Sequence, residues 1–229
     1  MKTVGLIGGV SWVSTAEYYK RINIHVSKKL GGLNSAKVLL SSLNFEDIIL
    51  YQQNGDFESE KNILLSNAKK LESAGADVIL ICSNTTNKTA NEIKENLNIP
   101  LINIVESIAK KITKLRLQKV ALLGTKYVMY ETFFSNILKN YGINSITPEA
   151  KDGLKIHNII YEELVKNIFL DESSDFILKV INRMANQEVD AVILGCTELP
   201  LAVSQQPKDI LIIDSIDAHI EDLFDDENY

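Results

Sequence analysis

Cysteine is scarce in this chain: only Cys82 and Cys196 occur in 229 residues. Two cysteines in a chain this long exclude a disulfide framework, so the expectation is a cytoplasmic protein with both thiols reduced. Cationic excess is missing as well. The net charge of −6 excludes the electrostatic footprint of a nucleic-acid binder. No apolar run approaches the length of a membrane span. Met1–Val10 carries one lysine and an apolar run broken by glycines, which does not read as a signal peptide. The sequon at Asn84 is then without use, because glycosylation needs secretion. His25, His157 and His219 are far apart and form no ligand pair at zinc-site spacing, so no metal is expected. The acidic end "EDLFDDENY" reads as a solvated helix end or tail.

What is present is an alternation. Short runs rich in Val, Ile and Leu are "TVGLIGG", "SAKVLLSSL", "ADVILIC", "PLINIV", "KVALLGT", "DAVILGC" and "DILIID". Such runs suit strands buried on both faces. Helical patterns separate them, over residues 15–30, 58–74, 86–97, 131–141, 153–165 and 173–187. Gly75 and Gly142 stand where helix C-caps would fall. Strand–helix alternation predicts an α/β fold with mostly parallel sheets.

The chain also repeats itself. "VGLIGG" from Val4 aligns with "VALLGT" from Val120, and "DVILICSNT" from Asp77 aligns with "DAVILGCTE" from Asp190, in the same order and at nearly equal offsets. This predicts two similar α/β halves with a cleft between them. The expected domains are residues 1–99 plus 210–229 and residues 100–209, the last strand and helix folding back onto the first half. Ligands of open parallel sheets bind beyond the carboxyl ends of strands. Here those ends are Gly8–Ser11, Ser83–Thr85, Gly124–Thr125 and Cys196–Glu198, all small or polar. Backbone N–H groups at such ends suit a carboxylate. "GLIGGVS" does not match G-x-G-x-x-G and no P-loop lysine follows, so it reads as a strand–helix turn that lets a small ligand approach the backbone.

The repeat decides which thiol matters. Asp77 aligns with Asp190, Cys82 with Gly195, and Ser83 with Cys196. Cys82, at the end of an apolar run, behaves as a small buried hydrophobe. Cys196 stands in "GCTE", with polar company and an expected helix N-terminus that would lower its pKa.

The set "GLIGGVSWVST", Ser83-Asn84-Thr85, "LLGT" at 122–125 and "GCTE" at 195–198 resembles the aspartate/glutamate racemase superfamily over almost the whole chain. The resemblance implies a cofactor-independent amino-acid racemase, usually dimeric, with a small-molecule substrate. Two cysteines on opposite sides of the substrate Cα exchange its proton, which needs one thiolate and one thiol. By resemblance the catalytic pair is Ser83 and Cys196. Substrate contacts would be Ser11, Asn84, Thr85, Thr125 and Thr197, with Gln52 as a candidate. The chain departs from the family at Ser83, where a cysteine is usual. It looks closest to a subset with a hydroxyl residue there and a preference for L-acidic substrates. Typical aspartate racemases have an arginine near position 48 and a lysine near 165; this chain has Ile48 and Val165. Gln52, Gln53 and Lys166 are the replacements on offer, so a neutral or broader substrate range is a second expectation. Two rivals keep the resemblance and change the activity: a decarboxylase with one cleft thiol, and a non-catalytic amino-acid-binding protein.

Overall fold

The computed structural model describes residues 1–203, 207 and 209–225. Residues 226–229 of the acidic end, expected to be a solvated tail, lie outside the described residues. The chain divides into two compact units: Met1–Ile104 with the segment from His219 onward, and Val105–Ala218. Each contains one four-stranded parallel sheet, so the fold is α/β with two parallel sheets.

The first sheet holds β1 (Thr3–Gly8), β2 (Lys37–Ser42), β3 (Val78–Ile81) and β4 (Leu101–Ile102) in the order β2-β1-β3-β4. The second holds β5 (Lys119–Gly124), β6 (Asn144–Ile146), β7 (Ala191–Gly195) and β8 (Leu211–Asp214) in the order β6-β5-β7-β8. The two orders are the same, as the internal repeat requires. Central strands are apolar throughout because helices cover both faces of a parallel sheet; β3 and β7 are buried at every position. In the first unit Ile7, Ile79 and Ile81 pack with Leu64, Ala68 and Leu71 of the helix Phe57–Ser73. In the second, Ala121, Leu123, Val192 and Leu194 pack with Ile156, Ile160, Ile177 and Ile181 of the helices Ala150–Glu162 and Asp171–Ala185. No helix among the described residues is long and apolar enough to cross a membrane.

Two strands fall elsewhere than expected. Leu211–Asp214 was expected with the first half, but it pairs with β7, Val192 opposite Ile212. Leu101–Ile102 was expected with the second half, but it pairs with β3, Ile79 opposite Leu101. The reason is symmetry: each sheet completes itself with the strand that follows its own third strand, so the crossing between units comes one strand later than Ile99-Pro100.

The segment after β8 reaches the first unit through His219, which is fully buried. Its Nε2 lies 3.0 Å from the Ile102 carbonyl, which can only accept, so Nε2 carries the proton. Nδ1 then accepts the Tyr18 hydroxyl at 2.8 Å. Tyr18→Phe deletes the donor to a buried nitrogen and is expected to cost about 1–3 kcal/mol of stability. Thermal unfolding checks this, and an unchanged Tm would show that the bond carries no net stability.

Candidate active site

The alignment of the halves has a structural anchor. In the first unit the Asp77 carboxylate accepts the Thr3 backbone N–H at 2.6 Å, and Asp77 N–H donates to the Thr3 carbonyl at 2.8 Å. In the second, the Asp190 carboxylate accepts from Gln118 N and Lys119 N at 2.8 Å, and Asp190 N–H donates to the Lys119 carbonyl at 2.7 Å. Both aspartates tie the start of the third strand of a sheet to the start of its first. Counting from either one reaches Ser83 and Cys196 at the same step.

The equivalent of Cys82 is Gly195, and a Cβ there would come within 2.9 Å of Leu122 Cδ1 and 3.0 Å of the Leu123 carbonyl. Both are interior packing positions. Cys82 is fully buried, and burial alone pushes its thiol far above the ordinary range. At Ser83 the chain turns, its N–H donating back to the Ile81 carbonyl at 2.9 Å. Asn87 clamps this turn: its amide donates to the Ser83 carbonyl at 2.6 Å and the Ile81 carbonyl at 3.2 Å, while its Oδ1 accepts the Ile104 N–H at 3.1 Å.

The first unit brings Ser11 and Ser83 to adjoining turns. The Ser14 hydroxyl contacts both the Ser11 and the Cys82 carbonyls at 3.0 Å. Ser11 is the N-cap residue of the helix Trp12–Leu30. Asn84 is buried and Thr85 half-buried beside Ser83. The glycines before Ser11 serve packing: a Cβ at Gly8 would collide with the Thr15 side chain, and one at Gly9 with the Leu43 carbonyl, with Gly9 at φ +80°. They join β1 to the end of β2 rather than opening a phosphate cradle.

In the second unit Gly124 pairs with Gly195, so Thr125 and Cys196 emerge from neighbouring strand ends. Thr125 caps the helix Lys126–Tyr130, its hydroxyl oxygen accepting Val128 N–H at 3.3 Å. Cys196 is 6% exposed. Its thiol donates to Glu198 Oε2 at 3.2 Å, and the Thr197 hydroxyl donates to the same oxygen at 2.8 Å. The thiol was expected to be acidified by a helix N-terminus. Instead it is raised well above its ordinary value, first by burial and then by the charge of Glu198. Backbone N–H groups of Glu198 and Leu199 pull the other way, but the helix behind them, Leu199–Ala202, is a single turn and loses. Nearby, burial lowers His157 to about 4, helped by the Lys126 charge, so this imidazole is neutral at pH 7.

The candidate side-chain readers are less well placed. Gln52 is buried with its amide donating to the equally buried Glu60 at 3.0 Å. Lys166 is exposed and ion-paired with Glu162 at 3.1 Å. Ile48 is fully buried and Val165 packs against the second core. Ser14, Asn87, Glu60 and Glu198 were not singled out from sequence; only the internal alignment, read outward from Ser83 and Cys196, could have flagged Asn87 and Glu198.

Known proteins carry the same frame. The chain is 22% identical to the broad specificity amino-acid racemase RacX of Bacillus subtilis, over 93% of this chain and 92% of that one. A solved structure of a candidate Asp/Glu racemase from Yersinia pestis is 39% identical, with a TM-score of 0.88 and 97% of each chain covered. An aspartate racemase homologue from Pyrococcus horikoshii is 31% identical, with a TM-score of 0.82 and 98% of each chain covered. The model of the Asp/Glu/Hydantoin racemase family matches residues 7–223; the chain belongs to that family.

Proposed function

We propose that this protein is a cofactor-independent racemase of acidic amino acids. Cys196 removes the Cα proton of L-aspartate or L-glutamate, and the Ser83 side returns a proton to the opposite face. The observation that carries the reading is the equivalence of Ser83 and Cys196, anchored by the matched hydrogen bonds of Asp77 and Asp190. Ser11, Asn84 and Thr85, with Thr125 and Thr197, would hold the α-carboxylate and ammonium. Ser83 aligns the chain with family members that have a hydroxyl residue at the first position. A hydroxyl is a far weaker base than a thiol at neutral pH, so the two directions of proton transfer are unequal.

Two enantiomers have equal free energies, so this inequality is kinetic. Cα–H exchange in deuterated water is expected to be at least about tenfold faster from the L-enantiomer than from the D-enantiomer. Proton NMR of an enantiomer panel reads both rates. Equal rates would remove Ser83 from the pair. Carbon dioxide release from malonates would replace the reading with a decarboxylase, and tight binding without exchange with a non-catalytic binder.

A second substrate reading is favoured by specific side chains. Ile48 and Val165 are apolar, Gln52 faces Glu60 rather than presenting a cation, and Lys166 is occupied by Glu162. These suit an uncharged side chain, and the same panel distinguishes it: neutral amino acids would then exchange faster than aspartate.

A further inference from the structure

Glu198 stands where the first half has Thr85, so the repeat carries a carboxylate on the thiol side only. It is 2% exposed, and burying a carboxylate is costly unless donors face it. Two of its donors belong to the strand end itself: the Cys196 thiol at 3.2 Å and the Thr197 hydroxyl at 2.8 Å, both on Oε2. Burial and the Glu198 charge keep Cys196 protonated at rest. A thiol that is to act as a base must first give its proton to another group, and the acceptor is already hydrogen-bonded to it.

We propose that Glu198 receives the Cys196 proton during Cα–H abstraction, making it a positioning residue that works through the thiol. The step rests on the racemase reading above and balances as follows. The Cα–H bond breaks and its proton bonds to Sγ, while the original S–H bond breaks and that proton bonds to Glu198 Oε2. The electron pair of the Cα–H bond stays on the substrate as a carbanion. The negative charge thereby moves from Glu198 to the substrate. Once the Ser83 side has given its proton to the carbanion, the proton held on Glu198 passes through solvent to that depleted group. This restores the carboxylate while Sγ keeps the proton taken from Cα. Thr197 holds Oε2 toward the thiol throughout.

The test uses the full chain with Cys82→Ala, so that Cys196 is the one thiol that reacts. Iodoacetamide alkylation is followed against pH for this parent, Glu198→Gln and Glu198→Asp, beside Cα exchange from the L-enantiomer. Glu198→Gln is expected to move the alkylation midpoint down by about one unit or more, because a negative neighbour is gone. It is also expected to slow exchange about 100-fold. Glu198→Asp keeps the charge with a shorter reach and is expected to keep the high midpoint and recover part of the rate. A midpoint that does not move, or exchange near the parent rate in Glu198→Gln, overturns the proposal. If Glu198→Gln does not fold, parent-like exchange and a lowered midpoint in Glu198→Asp overturn it instead. A parent that exchanges no amino acid sinks the racemase reading and the proton step with it, while the alkylation midpoints still separately report whether Glu198 holds the thiol proton.

Discussion

Cys196→Ala is expected to reduce Cα exchange from the L-enantiomer by about 1,000-fold or more, and Cys82→Ala to leave it unchanged. General acid–base groups contribute about 10²- to 10⁴-fold, and removing the one in direct contact with the reacting proton forfeits most of that. The contrast between two cysteines makes the experiment decisive. Cys196 follows a strand end lined by Thr125 and Thr197 and hydrogen-bonds Glu198. Cys82 is fully buried, and its counterpart Gly195 has no room for a side chain. Cys82→Ala therefore acts on packing, with a stability cost of about 1 kcal/mol. Both variants are compared by deuterium exchange at matched thermal stability. Loss of exchange in a folded Cys82→Ala would reverse the assignment made from the repeat.

The equivalence of positions behind that proposal was legible in the sequence because it rests on one well-marked residue per half. Asp77 and Asp190 precede apolar runs, and each carboxylate accepts the backbone N–H that starts the first strand of its sheet, Thr3 and Lys119, Asp190 also taking that of Gln118. The seven Val/Ile/Leu runs each contain a strand; β1, β3, β5 and β7 are buried on both faces and have no polar side to disguise them, whereas β2, with no buried residue, shows only through its Val-Leu-Leu core. The remaining strand, β6 (Asn144–Ile146), has no such signal: it is an edge strand of three residues, the first of them exposed. The helix Ile104–Lys114 was hidden because its first turn continues the apolar run "PLINIV", of which only Leu101–Ile102 is strand. Local pattern does not say where an apolar run changes from extended to helical when both conformations are buried.

The electrostatics of the site were the least legible part. "GCTE" shows a thiol two residues from an acid, but not whether the two side chains meet. In the structure they do, at 3.2 Å and out of water, and the sign of the expected pKa shift reverses. The same holds for Gln52. Its spacing of four from Ile48 puts both on one helix face, yet the sequence gives no hint that Glu60, from the next helix, occupies its amide.

Ser83→Cys is expected to raise exchange from the D-enantiomer by about 10- to 100-fold, with exchange from the L-enantiomer little changed, so that the two rates converge. The backbone at this position does not depend on the side chain. The turn is held by the Ser83 N–H on the Ile81 carbonyl and by the Asn87 amide on the Ser83 and Ile81 carbonyls. A cysteine differs from serine by one larger, more acidic atom, so the substitution changes the chemistry while leaving the clamp intact. Ser83→Ala, read beside it, removes the hydroxyl from the same clamp and is expected to slow racemisation without weakening exchange from the L-enantiomer, since that proton leaves through Cys196. If Ser83→Cys leaves D-exchange at its wild-type rate while Cys196→Ala still abolishes L-exchange, the returning proton comes from some other group, and Ser83 is a packing residue of the turn. If the rates converge, most of the kinetic asymmetry of the enzyme resides in the Ser83 side chain, and the absence of a carboxylate at Thr85, where the second half has Glu198, accounts for what remains.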